Sequence, residues 1–199
     1  MNKNSTSSQR RDFVKKSLTG TLALTAGLSG VTSLLSSFST DNDNGPMLLT
    51  EVPTAANEKE FRMKVLGPAE LSLATSQIAV SKAAQKNAKE FAGFELTEAI
   101  AVTGVLKDLG TPVPPMDAKA KATLAKIKAA PAGSAFDKAY IGAQLENHEF
   151  LRDLAQDYLG KGKMAGAAEA QTRHLATLAL AVFKEHVAIT TRILHELGA

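Results

Sequence analysis

The chain predicts an all-α fold, an antiparallel up-down four-helix bundle with one short accessory helix, and three observations carry that expectation. Beyond Asn57, apolar residues recur at helical spacing in a sequence rich in Ala, Leu, Lys and Glu. No run of β-branched residues alternates as a strand would. Helix stops at Gly110, Pro112, Pro114, Pro115, Pro131 and Gly160 divide the stretch into segments of helical length.

The first segment opens at Asn57, with Glu60 three residues on as an N-cap pattern, and carries Phe61 and Val65 one turn apart. Gly67-Pro68 is expected to kink it or to start a second piece, since proline cannot donate to the helical ladder. From Pro68 to about Lys86 the helix faces Leu71, Ala74 and Ile78 inward. The second helix, about Asn87 to Leu109, places Phe91, Val102, Val105 and Leu109 on one stripe, with Gly110 past its end. Asp117 caps a short, mostly solvated Ala/Lys helix whose large apolar residues are Leu124 and Ile127. Ser134 with Asp137 forms a further capping pattern. It opens a long helix with Phe136, Tyr140, Ala143, Leu151, Leu154 and Tyr158 along one side, ending at Gly160. The last helix carries Leu175, Ala179, Val182, Ile189, Ile193 and Leu197 at seam spacing. Four main helices joined by short connections favour the up-down arrangement.

The N-terminus reads as an address. Arg10 and Arg11, followed by Phe13 and Lys15, resemble a twin-arginine export signal, with Val14 where Leu is usual and Gln9 where Ser or Thr is commoner. Of the 24 residues from Ser17 to Thr40 only ten are apolar, too few for a comfortable bilayer span of about 20 mainly apolar residues. No stable transmembrane span is therefore expected. The alternative is a basic, flexible start on a cytosolic protein. Ser37-Phe38-Ser39 is the one tolerable cleavage site, so removal and retention as an anchor both stay open. The expected organisation is an export signal over 1–40, a linker over 41–56 and a bundle domain over 57–199. The expected location is the periplasm or cell envelope, with the twin-arginine export machinery and an unknown envelope protein as partners.

Charge and composition exclude several functions. Residues 1–40 hold a net +4 out of the chain's +3, so the remainder is −1 and the basic character belongs to the N-terminus. A nucleic-acid partner, which calls for a basic stripe on the folded domain, has no support. Zero cysteines excludes disulfides, thiolate nucleophiles and Cys-ligated metals. Neither a Gly-x-Ser-x-Gly elbow nor a His-Glu-x-x-His pair nor a glycine-rich phosphate loop occurs.

Chemistry is sought where polar residues interrupt the apolar stripes. Glu95 and Glu98 fall within the second helix's stripe, Glu70 stands beside Leu73 and Ala74, His148 neighbours Leu151, and His186 lies between Val182 and Ile189. A charge in a core needs a partner, a shifted pKa, water or a cation. Glu70, Glu98, His148 and His186 are the candidate metal ligands, for iron, manganese or zinc, although neither histidine completes a Glu-x-x-His pair. The other reading makes His148 a bundle histidine bonded to a carboxylate or carbonyl, and sets at least one of Glu95 and Glu98 against a Lys or Arg. In that reading no cofactor is bound. Matching heights along the helices pairs Glu70 with Glu98, but sets His148 level with His174 or Leu178 sooner than with His186.

Phe136-Asp137-Lys138-Ala139-Tyr140-Ile141, with Gln144 and His148 following, resembles the best-defined motif of an uncharacterised bacterial envelope family of ferritin-like four-helix bundles, often labelled predicted outer-membrane proteins. Leu180 to His186 resembles that family's later helix, and Gly67 to Ala74, with Glu70, its opening helix. Two departures stand out: Glu98 is followed by Ala99 where the family usually has His, and Leu180-Ala181 replaces its common Leu-Pro. The resemblance implies a fold and a compartment and no reaction. The function expected is that of an exported, non-enzymatic binding or interaction protein. The alternative is a metal-binding ferritin-like protein with its site inside the bundle.

Overall fold

The computed structural model describes residues 52–162 and 166–199, and every regular element among them is a helix. Arg10, Arg11, Phe13 and Lys15 of the expected export signal, and the expected linker up to residue 51, lie outside the described residues. Residues 54–56 are docked. Ala55 is buried, its N–H donates to Asp157 Oδ2 at 3.2 Å, and its carbonyl accepts from Lys161 Nζ at 3.2 Å.

Helix α1 spans Glu58–Lys82 and begins as its sequence directs, with Asn57 Oδ1 accepting the Glu60 N–H at 3.0 Å. It runs on through Pro68 as one helix, so the alternative of a fresh start there does not hold. Proline removes a single ladder donor, while buried Val65, Leu66 and Ala69 hold the helix on both sides of it and Asn147 Nδ2 donates to the Pro68 carbonyl at 3.2 Å. Its inward face also differs from expectation. Phe61, Val65, Ala69, Ser72, Ser76 and Ala79 are buried, whereas Leu71, Ala74 and Ile78 are half-buried flanks. Small polar residues take the inner positions because each finds a partner on another helix, which an apolar count does not register.

Helix α2 spans Lys86–Asp108, capped by Gln85 Oε1 accepting the Ala88 N–H at 2.6 Å. Its buried face is Ala88, Phe91, Ala92, Glu95, Ala99, Thr103 and Leu106, so the expected stripe is rotated and Val105 is exposed. Gly110, at φ 74°, adopts the left-handed conformation that ends the segment. Helix α3, Ala118–Ala129, is capped by Asp117 Oδ1 on the Ala120 N–H at 2.7 Å and buries Ile127 alone. Helix α4 spans Ser134–Gly160 and helix α5 spans Ala167–Glu196. On α5 the buried line is Thr172, Ala176, Phe183, His186, Thr190 and Ile193, mostly one position off the expected seam.

One capping expectation is overturned with a structural gain. Asp137 does not cap its own helix, whose N-cap is Gly133 without a side-chain bond. Its buried carboxylate instead accepts the N–H groups of Ala84 at 3.1 Å and Gln85 at 2.8 Å, in the connection between α1 and α2. Two charge-assisted bonds across the chain outweigh one local cap.

In the bundle α1 packs along α2, α4 packs along α5, α1 also meets α4 and α5, and α3 lies on α1 and α4. The end of α4 meets the start of α5 through Tyr158 and Glu169, and its beginning meets the end of α5 through Lys138 and the Gly198 carbonyl. Buried apolar residues form two clusters, one around Phe61, Leu66, Leu154 and Tyr158, the other around Phe91, Phe136, Tyr140 and Ile193. Hydrogen-bonded side chains run between α1 and α4: Ser72 to Gln144 Oε1 (3.0 Å), Gln144 Nε2 to Thr75 (3.0 Å), Asn147 Nδ2 to Ser72 (2.9 Å) and Ser76 to Tyr140 (2.8 Å). Among the described residues no helix is long and apolar enough to cross a membrane. Asp137→Ala is expected to destabilise the protein by about 2 kcal/mol, since two backbone donors lose a charged acceptor. Urea unfolding checks this, and a loss below about 0.5 kcal/mol, well under the range for such bonds, would remove Asp137 from this role.

Candidate functional site

The site grows from Glu95, on the buried face of α2 between Phe91 and Ala99. At 4 % exposure its carboxylate must be partnered. His148 of α4 and His186 of α5, 2 % and 5 % exposed, supply the partners. Glu95 Oε2 lies 3.2 Å from His148 Nε2 and 3.0 Å from His186 Nδ1, and those two nitrogens are 3.1 Å apart. On its far side, His186 Nε2 lies 3.0 Å from Glu98 Oε2. Phe91 sets its ring edgewise to both imidazoles, with centroids 5.1 Å from His186 and 6.3 Å from His148, and Phe183 packs against His148 at 6.0 Å. The rings are therefore held by packing as well as by polar contacts.

Proton bookkeeping exposes what is unusual here. His148 Nδ1 lies 2.7 Å from the Gln144 carbonyl, which can only accept, so that nitrogen carries a proton. His148 Nε2 then presents a lone pair to the centre unless the ring is charged, and two charged rings with nitrogens 3.1 Å apart repel. Three converging atoms are left with one proton to share, accepted by Glu95 whichever ring bears it. Burial alone would raise the Glu95 pKa, but the contacts with His148 and then His186 outweigh it and hold the carboxyl down at about 2. Burial likewise works against a charge on His186, and Glu95 and Glu98 overcome it and lift that imidazole to about 9.

Of the four residues expected as ligands, the structure brings three together and adds one. Glu98, His148 and His186 meet around Glu95, whereas Glu70 instead pairs with Lys107 at 2.6 Å. Glu98 contacts the outer nitrogen of His186, behind the converging atoms rather than among them. Glu95, an interruption of the apolar stripe that stands outside the candidate ligand set, is the centre. Its signal was its place in the line Phe91, Glu95, Ala99, which only the correct face of α2 reveals.

Side-chain lean explains both height errors. Helical side chains tilt toward their own N-terminus, so on oppositely directed helices a residue before the turn leans away from it and one after the turn leans back. His148 and His186 are offset by roughly 10 Å at their backbones, counting 1.5 Å per residue from Gly160 and Ala167, yet lean together. Glu70 and Glu98 are level and lean apart, and Glu70 meets Lys107, two to three turns beyond the level position.

Fold and site define a helical-bundle protein with a buried carboxylate–imidazole centre. Residues 49–192 match the model of a family described as a domain of unknown function, DUF4142, and the chain belongs to that family. No curated protein and no solved structure matches it.

The shifts set the pH behaviour of the metal-free protein. His186, raised from 6.5 to about 9, contributes stability that is fully present below pH 6.5 and is lost as pH rises through 9. Glu95, lowered from 4.5 to about 2, contributes stability that is present above pH 4.5 and is lost as pH falls toward 2. Melting temperature is expected to decline between pH 6.5 and 9, and His186→Gln to flatten that limb; an equal decline in the variant would assign it to other groups.

Proposed function

We propose that this protein is an exported helical-bundle protein that binds one divalent transition-metal ion between Glu95, His148 and His186. The observation carrying this is the triangle of donor atoms, with edges of 3.0, 3.1 and 3.2 Å. Donors at about 2.0–2.2 Å from a common ion stand about 2.8–3.6 Å apart in octahedral or tetrahedral geometry, so the triangle has the dimensions of one face of a coordination sphere. Two imidazoles and a carboxylate suit iron, manganese or zinc. The outer nitrogens fit as well. His148 Nδ1 donates to the Gln144 carbonyl and His186 Nε2 faces Glu98, the backing that orients metal-bound imidazoles and makes them better donors. In this reading Glu98 positions His186 instead of ligating, and Glu70 belongs to the bundle surface.

The wider reading rests on the packing of α1 with α2 and α4 with α5, which supports an antiparallel, up-down, ferritin-like four-helix arrangement with α3 as its accessory. Export to the periplasm or envelope by the twin-arginine route rests on Arg10, Arg11, Phe13 and Lys15. That route carries folded proteins, which would allow the ion to be loaded before export.

Elemental analysis of protein purified from its native compartment tests the metal. One equivalent of iron, manganese or zinc is expected, falling to background in a His148→Ala, His186→Ala double variant that still shows a helical circular-dichroism spectrum. Metal-free wild-type protein whose melting temperature ignores added Fe(II), Mn(II) and Zn(II) would end the proposal. Export is tested separately by Arg10→Lys, Arg11→Lys, for which retention in the cytosol is expected; unchanged secretion would refute the route.

A further inference from the structure

Two members of the triad, Glu95 and His148, border a cavity of about 30 Å³. Glu95, Glu98 and His148 form one part of its wall and Ser72 of α1 another, the serine hydroxyl being bonded to Gln144 and Asn147. Most of the rest is apolar, including Val65, Ala69, Ala99 and Phe183. We propose that this cavity is a binding pocket for one small exogenous ligand, a water or an anion of two or three atoms, which completes the coordination of the ion. The proposal rests on the metal reading above.

Three protein donors leave at least one position open on an ion that takes four ligands or more. The protein donors come from α2, α4 and α5, while the cavity is walled on another side by Val65, Ala69 and Ser72 of α1, none of which is a strong metal ligand. The volume exceeds the roughly 10–15 Å³ that one water requires, and because the wall is almost wholly apolar, the ion held beside Glu95 and His148 is what would retain a ligand there. It is also far below the roughly 300 Å³ at which pockets for drug-sized molecules begin, so a ligand of that size does not fit. The Glu98 side chain, 41 % exposed, lies at the solvent edge of the site.

The test uses the full chain loaded with Co(II), whose visible absorption reports its coordination, titrated with azide. A saturable change in the cobalt bands is expected at one azide per protein. Ala99→Leu and the milder Ala69→Val place extra methyl groups in the cavity without touching a donor. Each is expected to keep one equivalent of cobalt and to weaken azide binding at least tenfold. Cobalt bound with no azide response, or azide affinity unchanged in both variants, would overturn the pocket and leave the metal site standing. Loss of cobalt from both variants would show that the cavity wall and the donor set cannot be separated, and would overturn it too. Failure of the wild-type chain to bind cobalt would instead remove the metal reading, and this proposal with it.

Discussion

A buried carboxylate obliges its surroundings to come to it, and Glu95 imposes that condition on three helices. Helix α2 packs mainly along α1, and Glu95 ties it to α4 and α5 through His148 and His186. Removing one partner from such a group leaves an uncompensated charge in a core, which costs far more than a surface ion pair is worth. The site and the packing are thus one problem with one solution. Wherever these helices sit, the two imidazoles must point at the same oxygen.

The motif on α4 shows how closely the fold and the site are tied. Phe136 stacks on Tyr140, Asp137 holds the connection between α1 and α2, Tyr140 reaches Ser76, Gln144 reaches Ser72 and Thr75, and His148 ends at Glu95. These residues form one strip, and with Lys82 over the Phe136 ring each reaches α1, α2 or the connection between them. The Gln144 backbone carbonyl also fixes which nitrogen of His148 faces inward. A stretch that reads in sequence as a family resemblance is, in physical terms, the face that joins the two helix pairs.

Much of this architecture could be read from the residues, because local signals act locally. Asn57 and Asp117 cap the helices they were expected to cap, Gly110 ends α2, and Phe136, Tyr140, Leu151, Leu154 and Tyr158 on α4 are buried as their spacing requires, with Gln144 inside in place of half-buried Ala143. What failed were matters decided between helices. The inner faces of α1, α2 and α5 are set by Ser72, Thr75, Glu95 and His186, polar residues that are buried because their partners exist, and those partners are distant in sequence. Asp137 looked like a cap of its own helix and serves another. Backbone height gave the wrong pairs for Glu70 and His148 because it ignores the tilt of side chains along the axis.

The hydrogen-bonded residues between α1 and α4, with Glu95 and its imidazoles, lie among side chains of both apolar clusters: Phe91 of one and Phe183 of the other touch the same histidine. The bundle thus has a polar waist between two oily halves. Apolar contacts tolerate small slips, since grease is indifferent to direction, whereas directional bonds do not survive displacement by even a fraction of a turn. The waist therefore acts as an index pin. The alignment of both halves is set at the middle.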